Sequence, residues 1–327
     1  MREVKKITVK TIAATLTALL SAFLVTVPAI AQRPGANKFD FPDRQSDLKV
    51  AQDAVVDQAP KADQGYITVN GARIFYTVVG KGEPMVLVHG YPLSGDLFAR
   101  NRNALAKRYK VITMDLRGYG RSSAPEVPAS ISIYAKDVLD VMNKLGVPKA
   151  IIGGMSMGGP TVFEMYQQAP ERFRGMILID TIADDASPAE AGLWRGVAEQ
   201  AALRGVDSLV PLLLPEMLSG DTRVSQPQLA NFLTKIIEQA SLRGAIGGAY
   251  ALANRPDYTQ LLGKINVPVL ILVGLADTVY PVPVSRSMNR AIQNSTLVVI
   301  PGPAHAAIFE AADRANTAIL EWANKIK

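Results

Sequence analysis

Six short aliphatic runs limit what this chain can fold into: Met85–Val88, Val111–Met114, Ala150–Ile152, Met176–Ile179, Val269–Val273 and Leu297–Ile300. None alternates apolar with polar residues, which is the pattern of strands covered on both faces in a parallel sheet. Helical periodicity lies between them at Leu97–Lys107, Ile133–Leu145, Thr161–Gln168 and Val284–Ala291, and a final helix is expected at Ile308–Ile326. Ahead of the first run, "YITVNGARIFYTVVG" is two alternating stretches joined by Asn70-Gly71, a two-residue hairpin signal. The expected architecture is α/β, a mainly parallel sheet with helices on both faces. With 48% hydrophobic and 20% charged residues, a chain of 327 can bury a core of that size.

Two segments break the rhythm. Residues 1–31 have the three parts of a secretory signal: basic residues up to Lys10, an uncharged run from Thr11 to Val27, and Ala29-Ile30-Ala31 as a small-x-small cleavage site before Gln32. The competing reading is an uncleaved anchor, because the 17-residue run touches the lower limit for spanning a bilayer. Cleavage fits better, so a periplasmic or secreted protein is expected, with membrane contact only through the signal. Residues 32–64 are polar and read as a linker with at most a short helix near Asp47–Val56, and order is expected from Tyr66. The second break is a stretch of about 85 residues with helical periodicity and no convincing strand, cut by Gly205, Pro211, Pro215, Gly220, Pro227 and Gly244. Such a long insertion suits a functional lid, so residues 182–264 are expected as a helical cap on a core of 65–181 and 265–327.

Chemistry concentrates in "GGMSMGGP", Gly153 to Pro160. A strand enters it and a helix leaves it, with Pro160 tolerated in the first helical turn. A serine at such a corner, fenced by Gly154, Gly158 and Gly159, has the form of a nucleophile elbow that lifts the hydroxyl of Ser156 above the sheet. A serine needs a base, and the chain has only two histidines. His89 stands in "LVHGYP" just after an early strand, whereas His305 in "VIPGPAHAAIFE" follows the last strand. Chain order favours His305 as the base. Asp277 in "GLADTVYP" is the expected acid, and Asp180, at the end of the preceding strand, is the alternative. Backbone N–H groups of Met157 and Tyr91 are the expected oxyanion donors, since Pro92 has none to give.

Five motifs in order, "HGYP", "DLRGYGRSS", "GMSMGG", "GLADTVYP" and "GPAH", resemble those of the α/β-hydrolase fold superfamily over roughly Tyr66 to Lys327. The resemblance implies a triad of Ser156, Asp277 and His305, the oxyanion pair Tyr91 and Met157, and support from His89, Gly90, Gly154 and Gly158. Serine at 156 departs from haloalkane dehalogenases and epoxide hydrolases, which carry aspartate there. The chain is similar to the serine esterase, lactonase and perhydrolase-like branch. It implies ester or lactone hydrolysis through an acyl-enzyme, with a cofactor-free haloperoxidase as the first alternative and a non-catalytic ligand receptor on the same fold as the second. No metal or organic cofactor is implied. The chain lacks cysteine, so it has no disulfide and no thiolate metal site. The first ten residues carry +3 of the net charge of +6, and the remainder has no basic run, which argues against a nucleic-acid partner.

Overall fold

The computed structural model describes residues 62–126 and 128–326. The signal segment and nearly all of the polar linker, with its short expected helix, lie outside the described residues. Among the described residues, no helix is long and apolar enough to cross a membrane.

Eight strands form one sheet: β1 (Asp63–Val69), β2 (Ala72–Val79), β3 (Glu83–Val88), β4 (Tyr109–Met114), β5 (Ala150–Met155), β6 (Phe173–Ile179), β7 (Val269–Gly274) and β8 (Ser295–Ile300). Their order is β1-β2-β4-β3-β5-β6-β7-β8. β1 and β2 run antiparallel, with Val69 opposite Ala72, and β2 also pairs antiparallel with β4. All other neighbours are parallel. The hairpin turn holds Asn70 at φ 47° and Gly71 at φ 75°, the left-handed pair that a two-residue turn of this hand requires. β1 starts at Asp63, three residues before the expected onset of order, because its ladder with β2 reaches back to Val78.

The unbroken aliphatic runs have their physical cause in coverage. β5, β6 and β7 are buried almost throughout, each core aliphatic side chain contributing about 1.5–3 kcal/mol. β8 departs from the expectation of burial on both faces: it is the sheet edge, and most of its residues are only half covered. Helix α1 (Ala99–Leu105) follows β3, α2 (Ile131–Lys144) follows β4, and α3 (Gly158–Gln168) follows β5. The start of α2 shows how sequence sets these elements. Ser130 accepts from Ile133 N at 3.2 Å, and Ile131, Tyr134, Ala135, Val138 and Met142 then form one buried stripe.

Between β6 and β7 lie only helices: α4 (Pro188–Arg204), α5 (Val210–Met217), α6 (Gly220–Ser225), α7 (Pro227–Glu238), α8 (Leu242–Ala253) and α9 (Thr259–Leu262). Serines 187, 219 and 241 cap α4, α6 and α8 by accepting backbone N–H groups three residues on. After β7 comes α10 (Val282–Ala291).

The expected single C-terminal helix is two, α11 (Ala307–Glu310) and α12 (Ala312–Ala323). The carbonyls of Ile308, Phe309 and Glu310, which a continuous helix would use, are taken by side chains of α1. Asn101 Nδ2 donates to Ile308 O at 3.0 Å, and Arg100 Nη1 donates to Phe309 O at 2.7 Å and Glu310 O at 3.2 Å. Side chains from a distant helix end this one.

In chain order the sheet grows one way from β3 to β4 and the other way from β5 to β8. The carboxyl ends of β3 and β5 therefore flank the point where strand order reverses, the crevice where α/β sheets bind ligands.

Candidate active site

Ser156 occupies the corner between β5 and α3 with φ 52°, a left-handed value that costs a non-glycine residue energy. The corner is held by Ser156 N donating to Ile179 O at 3.0 Å and by Gly159 N and Thr181 Oγ1 donating to Ser156 O at 2.8 and 2.7 Å. A Cβ on Gly154 would meet the carbonyl of Gly158, and one on Gly158 would meet that of Val88. A Cβ on Gly159 would instead meet the Thr181 side chain.

Two loops converge on this serine. His305, between β8 and α11, places Nε2 2.9 Å from Ser156 Oγ. Its Nδ1 lies 3.0 and 3.2 Å from the two carboxylate oxygens of Asp277, on the loop after β7. Asp277 Oδ1 also accepts Val279 N at 2.8 Å and Tyr280 N at 3.1 Å, which fixes the carboxylate. With Nδ1 donating to Asp277, Nε2 is left as the acceptor of the serine proton. Ser156, Asp277 and His305 are buried at 5%, 3% and 2% exposure, so their mutual interactions are little screened.

Tyr91 and Met157 are both buried. Met157 is the N-cap of α3, where helix N–H groups have no internal partner, and Tyr91 stands on the loop after β3. Gly90 has no room for a side chain beside Met155 and Ser156, which brings the β3 loop against the corner. His89 sets that loop. Its Nδ1 donates to Gly90 O at 2.8 Å and its Nε2 accepts from Leu116 N at 2.9 Å. Complete burial lowers its pKa to about 4, against smaller opposing effects from Gly90, Asp115 and Asp96, so the ring is neutral.

Asp180 is not brought to the histidine. Held at φ 44° and fully buried, it accepts Gly274 N at 2.8 Å on one oxygen and Ala307 N at 3.0 Å on the other. It thus ties the end of β7 to the residues just past His305. Burial, and then the charge of Asp277, push its carboxyl well above the usual carboxylate range.

The helical insertion is bonded directly to these loops. His305 N donates to Glu216 O at 3.1 Å, Ala306 N to Met217 O at 2.9 Å, and Thr278 Oγ1 to Glu216 Oε2 at 2.5 Å. Glu310 accepts Ala304 N at 2.8 Å and also takes Ser219 N and Ser219 Oγ. On the opposite side Tyr91 Oη donates to Ala245 O at 2.9 Å, and the Trp194 ring packs edge-on to Tyr91 at 5.4 Å. Of the apolar insertion residues, Trp194 reaches the site, whereas Phe232 stacks on Phe309 inside the core. The sequence reading missed Glu310, Glu190, Arg255 and Tyr280, whose partners lie far away in the chain. Among the described residues, no group of three or more His, Cys, Asp or Glu could hold a metal ion.

A family model described as the alpha/beta hydrolase fold matches residues 83–312. The chain belongs to the α/β-hydrolase family. A solved esterase from Thermogutta terrifontis is similar at 31% identity and TM-score 0.77, covering 82% of this chain and 99% of that one. The enol-lactonase from Burkholderia xenovorans LB400 follows at 25% identity and TM-score 0.76, covering 80% and 100%. A curated relative from Synechocystis, named a putative non-heme chloroperoxidase, is 28% identical over 79% of this chain and 99% of its own length. This α/β-hydrolase thus has esterase-, lactonase- and haloperoxidase-named relatives at comparable distance.

Proposed function

We propose that the protein is an exported serine hydrolase that cleaves uncharged carboxylic esters or lactones. The observation that carries the reading is the hydrogen-bonded line from Asp277 through His305 to Ser156 Oγ, with steps of 3.0 and 2.9 Å.

His305 Nε2 takes the proton of Ser156 as Oγ attacks the ester carbonyl, and Asp277 stabilises the imidazolium that forms. The N–H groups of Tyr91 and Met157 receive the oxyanion. Collapse expels the alcohol, or opens the lactone ring, with the proton passing from Nε2 to the leaving oxygen. Water then adds to the acyl-enzyme with His305 as base, releasing the acid and restoring Ser156. An uncharged acyl group fits the surroundings. Arg255, the buried cation of the insertion, spends all its N–H groups on Glu190 and the carbonyls of Asp184, Asp185 and Leu252. The aromatic rings of Trp194 and Tyr280 pack edge-on to Tyr91 of the oxyanion loop and to the base.

An aryl phosphonate should label Ser156 alone, and the purified protein should hydrolyse short-chain aryl esters or lactones. Labelling at another residue, or no turnover across acyl lengths, overturns the assignment. Export is tested by intact mass: the protein from the cell envelope should begin at or near Gln32. The Synechocystis relative favours a second reading, in which hydrogen peroxide replaces water at the acyl-enzyme and leaves as a peracid. Brisk peroxide-dependent halogenation without ester turnover would select it.

A further inference from the structure

One carboxylate of the helical insertion reaches, through two aromatic side chains, the base and the oxyanion loop that the hydrolytic reading requires. Glu190, in the first turn of α4, is clamped by the buried guanidinium of Arg255, Nη1 to Oε1 and Nη2 to Oε2, both at 2.7 Å. Arg255 also donates to the carbonyls of Asp184 and Asp185, so the pair is anchored to the segment leaving β6. A bidentate pair of this kind fixes direction as well as charge. What the pair holds is Glu190 Oε1, which accepts two further donors: Trp194 Nε1 and Tyr280 Oη, each at 3.3 Å.

Both donors carry rings that lean on the reaction centre. The Trp194 ring stands edge-on to Tyr91 at 5.4 Å, and the Tyr280 ring stands edge-on to His305 at 5.6 Å. Tyr280 also follows closely on Asp277, whose Oδ1 accepts its backbone N–H. The Arg255 guanidinium lies over the Tyr280 ring at 5.9 Å. Edge-to-face contacts orient rings without bonding them, so fixing the outer ring restricts tilt of the inner one. Burial holds the Tyr280 hydroxyl protonated and hence a donor.

We infer that Glu190 is a positioning residue that couples the docked helical insertion to the geometry of both the base and the oxyanion loop. Through Tyr280 it sets the tilt of His305, and through Trp194 it sets the place of Tyr91. The insertion thereby takes part in catalysis without touching the reacting atoms. This rests on the Ser156–His305–Asp277 reading.

The test is steady-state ester hydrolysis by Glu190→Gln, Tyr280→Phe and Trp194→Phe, and by the double variant of Glu190→Gln with Tyr280→Phe. Glu190→Gln should lower kcat by about 10- to 100-fold, the scale of small misplacements at a reaction centre, with KM within about threefold of wild type. Tyr280→Phe and Trp194→Phe leave the ion pair intact and should each lower kcat severalfold while thermal midpoints stay within about 2 °C. The double variant should be no slower than Glu190→Gln alone, because both changes cut one connection. In a Trp322→Phe background, the emission of Trp194 should shift in Glu190→Gln. Wild-type kcat in both Tyr280→Phe and Trp194→Phe, or losses that multiply in the double variant, overturns the inference. Failure of a phosphonate to label wild-type Ser156 would instead overturn the hydrolytic reading beneath it.

Discussion

The chain's two histidines sit on loops at the same end of one sheet, both are buried, and they serve opposite ends. His89 spends both ring nitrogens on backbone, Nδ1 on Gly90 O and Nε2 on Leu116 N. Every direction in which it could move a proton is already occupied. His305 spends one nitrogen on a carboxylate and presents the other to a hydroxyl. Burial alone therefore does not make a base. A ring anchored on one side and aimed at a titratable proton on the other can act as one, and a ring anchored on both sides becomes a brace. The two carboxylates at neighbouring strand ends repeat the lesson. Asp277 faces an imidazole, while both oxygens of Asp180 are taken by backbone N–H groups.

Exchanging roles should be impossible, and the sharpest break of the comparison is His305→Ala. It should remove on the order of 10⁴-fold or more of kcat while circular dichroism and the thermal midpoint stay near wild type, because triad members act as a unit. Asp277→Asn should follow at about 10⁴-fold by presenting the wrong tautomer, the effect of the same change in a well-studied serine protease. His89→Gln should act mainly on stability. Leaving Leu116 N–H without its acceptor costs about 1–3 kcal/mol, a fall of roughly 2–12 °C in the thermal midpoint. Its kcat loss should stay near tenfold, and a loss like that of His305→Ala would erase the distinction drawn between the two rings. The smallest catalytic effect belongs to Asp180→Asn, a few-fold at most by this comparison, and the reverse ranking of the two aspartates would move the acid to β6.

Acid sharpens the same contrast. The pKa of His89 is depressed to about 4 in the folded chain and is about 6.5 unfolded, so the unfolded state binds the proton more readily. Its stabilising contribution is complete above pH 6.5 and is lost as pH falls through the window down to about 4. The depression corresponds to about 3 kcal/mol by linkage. Urea midpoints at pH 7.5 and 4.5 should therefore converge between wild type and His89→Gln as the medium is acidified. Asp180 works in the opposite direction. Its raised carboxyl contributes stability at low pH that is lost as pH climbs through its folded value, so Asp180→Asn should lose least, relative to wild type, at the alkaline end.

That Ser156, Asp277 and His305 would come together was legible because each is announced locally. A strand-to-helix glycine corner, a carboxylate after a strand and a histidine before the last helices can be placed by chain order alone. The sheet was legible for the same reason, since a strand covered on both faces shows in its own residues. Pairwise partnership across the chain was not legible. Glu190 meets Arg255 and Tyr280 at separations of 65 and 90 residues, and Glu310 meets Ser219 at 91. Nothing in the residues around Glu310 distinguishes it from an exposed helical glutamate. The break at Ala311 was hidden similarly, because Arg100 and Asn101, which cause it, belong to another helix.

The short run from Glu216 to Ser219 has a consequence for anyone redesigning the helical insertion of this α/β-hydrolase fold. Its carbonyls receive the N–H groups of His305 and Ala306, and its serine shares Glu310 with Ala304. The insertion is therefore not an interchangeable module laid over a finished catalyst. Grafting a foreign insertion at the boundaries after β6 and before β7 would remove the carbonyl partners of His305 and Ala306. Swaps should keep residues 216–219, Glu190, Trp194 and Arg255 in place and confine diversity to other positions of α4 and α8, and chimaeras that ignore this seam should fold yet turn over slowly.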